Sequence, residues 1–340
     1  MMAMPSVYNV ALPKSYTQVW DHTRFLQKLG ITSIIAPSVC HGGFHMDLYV
    51  IGYGSFGVVC GLLLTGTVWT IGRHAVAHRG AGPGWPLKEA VLKGVPSALA
   101  ASFFLVPVVS TKIFAAFDCV GYSHDSAIGD VRYYVRDDPR ILCFDSNDHN
   151  RIRGTAFALM IIWPIGAPLV YGLLLLSCRN AIQNRKPSPL SSATDFLHKE
   201  YTPQFYYWEV LELVRRIVLN GALLLIKDEQ AFLRIVAALA VSSCFVLFAS
   251  LCKPMKNRVL NYVQSAGLFG VLVVMQGALM LKLMADIAEE AGDDVVQKVL
   301  AFDNAESAVL GLLGFVGVVV AAVVLVTIQE EIFVARGELK

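Results

Sequence analysis

Six polar residues in one short stretch carry most of the chemistry this sequence offers: Glu209, Glu212, Arg215, Arg216, Asn220 and Lys227. At about 100° per residue on a helix, Glu209, Glu212, Arg216, Asn220 and Lys227 fall within one arc of about 80°, while Arg215 points away. Carboxylates, a guanidinium and an amide on one helix face can line or gate a path for cations. The same groups can also serve as a salt-bridge cluster that locks helices together. Glu212 and Arg216, four residues apart, form the natural pair, with Glu209 as a second acceptor. A weaker stripe follows downstream, where Asn261, Gln264, Lys282 and Asp286 share a face and Gln276 stands at its edge. Two striped helices of this kind could face each other across a polar interior.

Other residue patterns add candidates. Pro164 and Pro168, with Gly166 between them, interrupt an apolar run; each proline lacks an N–H and crowds the carbonyl four residues back, which predicts a kink that acts as a hinge or stays static. Cys119 and Cys143 bracket a polar segment and predict a disulfide there. The alternatives are two free buried thiols or a pairing that uses Cys40. Gly57 and Gly61, with Gly311, Gly314 and Gly317, are expected at close helix approaches. Acidic residues cluster in two places, Asp137, Asp138, Asp145 and Asp148, and Glu289, Glu290, Asp293 and Asp294, as a solvated face or a cation-gathering one. Neither the Cys40, His41, His45 group nor the His74, His78 pair completes a metal-ligand set. The string from Gly52 to Gly57 matches a dinucleotide-binding fingerprint but follows no strand. No catalytic residue, cofactor, metal centre or nucleic-acid partner is expected.

The elements that must position these residues are membrane helices. Hydrophobic residues make up 55% of the 340 and charged ones only 16%, against about 25% charged in a soluble domain. The apolar residues gather into runs of about 20, enough to cross about 30 Å of hydrocarbon at about 1.5 Å per residue. Because a spanning segment must satisfy its own backbone, these runs predict an all-α, multi-pass transmembrane bundle. Seven spans are expected, at 48–71, 95–117, 155–178, 206–226, 231–252, 259–285 and 305–328. The bundle then occupies 48–328, with an outer loop at 118–154 and a cytoplasmic loop at 179–205. A segment at 1–47 is amphipathic or re-entrant, and a short cytoplasmic tail covers 329–340. Lys253, Lys256 and Arg258 stand together without an acid and mark a cytoplasmic turn. The first 15 residues show no basic head before an apolar run, so the first span is expected to insert as its own signal. Residues 185–194, crowded with Pro and Ser, read as a flexible linker.

The polar stripe gains meaning inside this frame. Only ten residues separate Arg216 from Lys227, roughly 15 Å of helix and about half a crossing. The span must begin earlier, with Tyr206, Tyr207 and Trp208 as headgroup anchors, which draws Glu209, Glu212 and both arginines into the membrane. Each such charge costs about 2.5–3.5 kcal/mol at mid-helix, so it must face the bundle or water and be paired.

The order of motifs resembles a known family. Lys112 to Cys119, Tyr133 to Cys143, Trp163 to Tyr171, Glu200 to Pro203, Tyr207 to Arg216, Gln230 and Lys253–Pro254 together are similar to the membrane region of TRP-like proteins of algae and other protists, of the TRP C-terminal-domain type. Those chains usually carry EGF-like or cysteine-rich extracellular modules. The likeness runs from about Phe103 to Met280. It implies a cation channel or channel-like transporter, calcium-linked, in a eukaryotic plasma membrane or endomembrane, with the lipid bilayer, cations and copies of itself as partners. A seven-span receptor and a carrier of lipids or small solutes are the alternatives.

Overall fold

The chain was described from a computed structural model, which defines residues 43–77, 87–125, 130–144, 146–227 and 230–291, and scattered helical positions between 311 and 329. Five helices among the described residues are long and apolar enough to cross a bilayer: Phe44–Arg73, Leu87–Ala115, Asn147–Gln183, Ala231–Cys252 and Arg258–Ala288. They correspond to five of the seven expected spans. The one expected at 206–226 is instead a 13-residue helix, Trp208–Asn220, followed by a 3-10 turn, Ala222–Leu225. The helix covers about 20 Å, short of the bilayer's hydrocarbon. Gly221 leaves the helical region between them (φ −154°), so the stripe does not continue as one helix to Lys227. The span expected at 305–328 falls mostly outside the described residues, as do the 1–47 segment up to Gly42, His78 with the side chain of its partner His74, Asp145 and the acidic pair at 293–294.

Chain contacts divide the protein into two units, Ala36–Leu225 and, among the described residues, the chain from Ile226 onward. In the first, helix α1 (Phe44–Tyr49) passes through a π-helical turn, Val50–Gly54, into α2 (Ser55–Ala77). Helix α3 (Leu87–Ala115) packs along α2. The two backbones meet where a Cβ on Gly66 would lie 2.7 Å from the Cα of Gly94. Among the described residues close approach uses Gly66 and Gly94, whereas a Cβ on the expected Gly57, Gly61, Gly311, Gly314 or Gly317 would meet no described atom within 4 Å. Position along the helix does not show which glycine faces a neighbour.

The segment expected at 118–154 as an outer loop is not a plain loop. Strands β1 (Cys119–Asp125), β2 (Asp130–Val135) and β3 (Asp138–Leu142) form an antiparallel sheet in the order β1-β2-β3. A Cys119–Cys143 disulfide, with Cα atoms 6.4 Å apart, ties the start of β1 to the end of β3. Arg136 donates to Asp118 at 2.7 Å and Lys112, in the last turn of α3, to Asp137 at 2.9 Å, so the sheet is fastened to the helix that leads into it. Asp138 pairs with Arg140 at 2.8 Å and accepts the Phe44 N–H at 3.3 Å, which joins β3 to the first turn of α1. Two of the acids expected to gather cations, Asp137 and Asp138, are thus held in ion pairs.

Helix α4 (Asn147–Met160) opens on Ser146, whose Oγ accepts the His149 N–H at 3.0 Å. It continues through a second π-helical turn, Ile161–Gly166, into α5 (Ala167–Gln183). The wider turn accommodates Pro164, which has no N–H to give to the ladder. Gly166 has no room for a side chain, since a Cβ there would lie 2.6 Å from the Ile161 carbonyl oxygen. The two π turns meet, because the Trp163 Nε1–H donates to the Gly52 carbonyl at 3.0 Å in a buried position. The second half of the linker expected at 185–194 is helical. Ser188 caps a short helix α6 (Pro189–Ala193) with its Oγ, Pro189 starts it, and α7 (Asp195–His198) follows. Ser191, Ala193, Thr194, Leu197 and His198 are buried, and α6 packs on α3 and α5. A serine cap with proline in the first turn is a helix-start signal as well as a linker signal.

In the second unit, α9 (Ala231–Cys252) and α10 (Arg258–Ala291) form an antiparallel pair. Asn261 closes their turn: its side chain accepts the Met255 N–H at 3.0 Å and donates to the Met255 carbonyl at 2.9 Å. Lys282 pairs with Asp286 one turn on, at 2.8 Å.

Replacing Cys119 and Cys143 with serine should lower stability by about 3 kcal/mol, the chain-entropy value for a loop of this size, measured by thermal unfolding in detergent. Asp138→Asn supplies a second test. The Arg140 side chain first, and then the Phe44 and Arg140 N–H groups, hold the Asp138 carboxyl below its usual range. Its stabilisation is complete above the unfolded value of about 3.9 and is lost as pH falls through the lower folded value. The variant should melt a few degrees lower at neutral pH, and the gap should close in strong acid.

Candidate functional site

The short helix α8 (Trp208–Asn220) carries the site. A tight run of turns leads into it: the Tyr201 N–H donates to His198, Phe205 to Thr202 and Trp208 to Phe205. On α8, Trp208, Leu213, Ile217 and Leu219 are buried, and the helix packs against α3, α5 and α7. Tyr206 and Trp208, expected as headgroup anchors, belong to this core; Tyr207 alone of the three is exposed.

Glu212 lies in the same interior, with 4% of its surface exposed. Its guanidinium partner is Arg215, whose Nε and Nη2 donate to Oε2 at 3.0 and 2.7 Å. This corrects the expected pairing with Arg216. Residues three apart on a helix are neighbours as much as residues four apart, so Arg215 reaches Glu212 from the other side. Arg216 instead lies against α3, with its guanidinium carbon 5.1 Å from the centre of the Phe103 ring. That ring meets Phe196 of α7 edge to face at 5.4 Å. A guanidinium on an aromatic face keeps a favourable electrostatic contact without a carboxylate.

Glu209, one turn before Glu212, is half-buried and accepts the Tyr201 hydroxyl at 2.5 Å. Tyr171 of α5 stands in its field, its hydroxyl 2.6 Å from the buried Ser102 Oγ of α3. Ser102, Phe103, Tyr171, Tyr201, Glu209, Glu212, Arg215 and Arg216 therefore form one polar seam through the first unit. Asn220 ends the helix half-buried, below the seam. Of the remaining expected residues, Gln264 is half-buried and Gln276 exposed on α10 of the second unit. Pro164, Gly166 and Pro168 flank the contact between the π turns.

Sequence reading missed Tyr171, Ser102 and Tyr201, which carry no charge to signal them. It also missed Arg234, in the first turn of α9, which is 1% exposed and donates from Nε to the Ile226 carbonyl at 2.6 Å. A lone arginine at the start of an apolar run was the available signal. The sulfurs of Cys119 and Cys143 and a His149 ring nitrogen lie within 4.8 Å of one another, a ligand-like cluster. The sulfurs are bonded to each other and His149 Nδ1 accepts the Phe144 N–H at 3.2 Å, so in this form the cluster has no thiolate to offer a metal.

Fold and site together define a multi-pass helical membrane protein with a buried charged seam on one short amphipathic helix. Comparison with protein-family models, characterised proteins and solved structures finds no match to this chain.

The pairing separates the two arginines experimentally. Arg215→Met takes the guanidinium from a buried carboxylate and should cost about 3–5 kcal/mol, whereas Arg216→Met removes a ring contact worth about 1 kcal/mol. Thermal unfolding of the two variants in lipid nanodiscs checks this order.

Proposed function

We propose that this chain is an integral membrane cation channel or channel-like transporter of the TRP-like kind, and that the seam on α8 is its gate. The observation that carries the reading is the Glu212–Arg215 ion pair held in the interior of a helical membrane unit. Charged groups cost free energy there and are rare without a role in moving or sensing ions. Both carboxylates are occupied by protein donors, as expected of a closed gate. Opening would free Glu209 and Glu212 to face passing cations, with Asn220 next along the path and the Pro164–Pro168 segment as the hinge. No catalytic residue or cofactor enters this reading. The resemblance adds calcium to the cations worth testing and a eukaryotic plasma membrane or endomembrane as the setting.

Current through planar bilayers containing the purified full chain tests the proposal, in potassium, sodium and calcium salts. Cation current should appear, and Glu212→Gln should change it by about tenfold, equivalent to about 1.4 kcal/mol in a barrier. A correctly folded protein that carries no current in any of these salts leaves the seam as a structural clamp.

A further inference from the structure

Glu209 and Glu212 stand one helical turn apart, yet their surroundings differ. Glu212 is buried and holds a guanidinium at two short distances. Glu209 is only half-buried, and among the described residues its donor is a phenol, the Tyr201 hydroxyl on Oε2. No guanidinium pairs with it: Arg215 is taken by Glu212, and Arg216 lies over the Phe103 ring. The charged and titratable groups acting on Glu209 are Glu212 and Arg216 of its own helix, Tyr201 from the turn after α7 and Tyr171 of α5. α3 contributes Ser102 and Phe103 to the seam and places no charge between Lys93 and Lys112. His198 of α7 is directed to the Ser191 carbonyl at 3.2 Å.

We propose that Glu209 is a proton-binding site: a hydrogen ion from bulk water adds to Oε1, forming an O–H bond, while the Tyr201 hydroxyl remains the donor to Oε2. Partial burial of Glu209 favours this neutral form first, and the like charge of Glu212 one turn away adds to it. The Tyr201 hydrogen bond and the Arg216 charge oppose it, but among the described residues no guanidinium is within ion-pair distance to hold the carboxylate charged. With Glu209 charged, the two carboxylates and two guanidiniums of the seam sum to zero. With it neutral the seam carries one excess positive charge, borne by Arg216, whose contact with Phe103 is the weaker of the two guanidinium attachments. The proton is therefore the ligand that loosens the seam on the Arg216 side. The proton site stands on this geometry; only its effect on ion flow rests on the function proposed above.

Infrared difference spectra of the full chain in nanodiscs, taken between neutral and mildly acidic pH, test the site directly. Acidification should raise a protonated-carboxyl C=O band that is absent in Glu209→Gln and shifted in Tyr201→Phe, which removes the hydrogen bond and keeps the ring. Identical difference spectra in the wild type and Glu209→Gln overturn the proposal; if that variant does not fold, an unshifted band in Tyr201→Phe does so. Bilayer current recorded in parallel should respond to acid in the wild type and not in Glu209→Gln. A titrating band without any current would keep the proton site and reject the channel; current with no Glu209 band would do the reverse.

Discussion

An ionised carboxylate in an apolar interior needs a donor of opposite charge within reach, and the Arg215 guanidinium on the buried Glu212 meets that need in the first unit. Removing a charge from water costs several kcal/mol, which only close, well-aligned donors can offset. Much of the local architecture answers this demand. The turns from His198 to Trp208 aim α8 inward, so that Glu212 and the buried Trp208, Leu213 and Ile217 share one packing environment. The ordered elbow of α6 and α7 brings Phe196 to the Phe103 ring, on whose face Arg216 rests. The second guanidinium is thereby provided for without competing for Glu212.

A second constraint lies at the other end of the same helices. The β-sheet is closed by the Cys119–Cys143 disulfide and fastened to α3 by Lys112–Asp137 and Arg136–Asp118. Through Asp138 it reaches the first turn of α1. From there α1 enters its π turn, whose Gly52 carbonyl receives the Trp163 indole. The sheet, the first long helix and the α4–α5 helix are in this way one mechanically connected set. A Cβ on Gly52 would meet the terminal methyls of the buried Leu159, which would have to shift to admit it.

Several elements were legible beforehand for plain reasons. The expected span 231–252 coincides with α9, since an apolar run between polar flanks has little freedom in where it starts and stops. Two cysteines bracketing one polar segment offered the disulfide beside two alternatives, free thiols or a pairing with Cys40, and the fold holds Cys119 and Cys143 together. Other features were not legible. Residues 188–193 hold the same Ser and Pro that a linker would, and packing against α3 and α5 selects the capped helix Pro189–Ala193. The strands at 119–142 are short and partly charged; they pair as an antiparallel ladder whose ends are tied by the Cys119–Cys143 disulfide and the Arg136–Asp118 ion pair. Gly221 ends α8 before it can span, which apolarity alone does not reveal.

The sequence by itself determined the class of element: helices long and apolar enough for a bilayer, with charges at helical spacing on one short stretch. Those properties are local, set by composition and by a backbone that satisfies its own hydrogen bonds. The tertiary structure decided which partner each charge takes, Arg215 for Glu212, Tyr201 for Glu209 and the Phe103 ring for Arg216. Such choices depend on side chains brought in from other helices, and helical spacing alone leaves arginines three and four residues from Glu212 as equal neighbours.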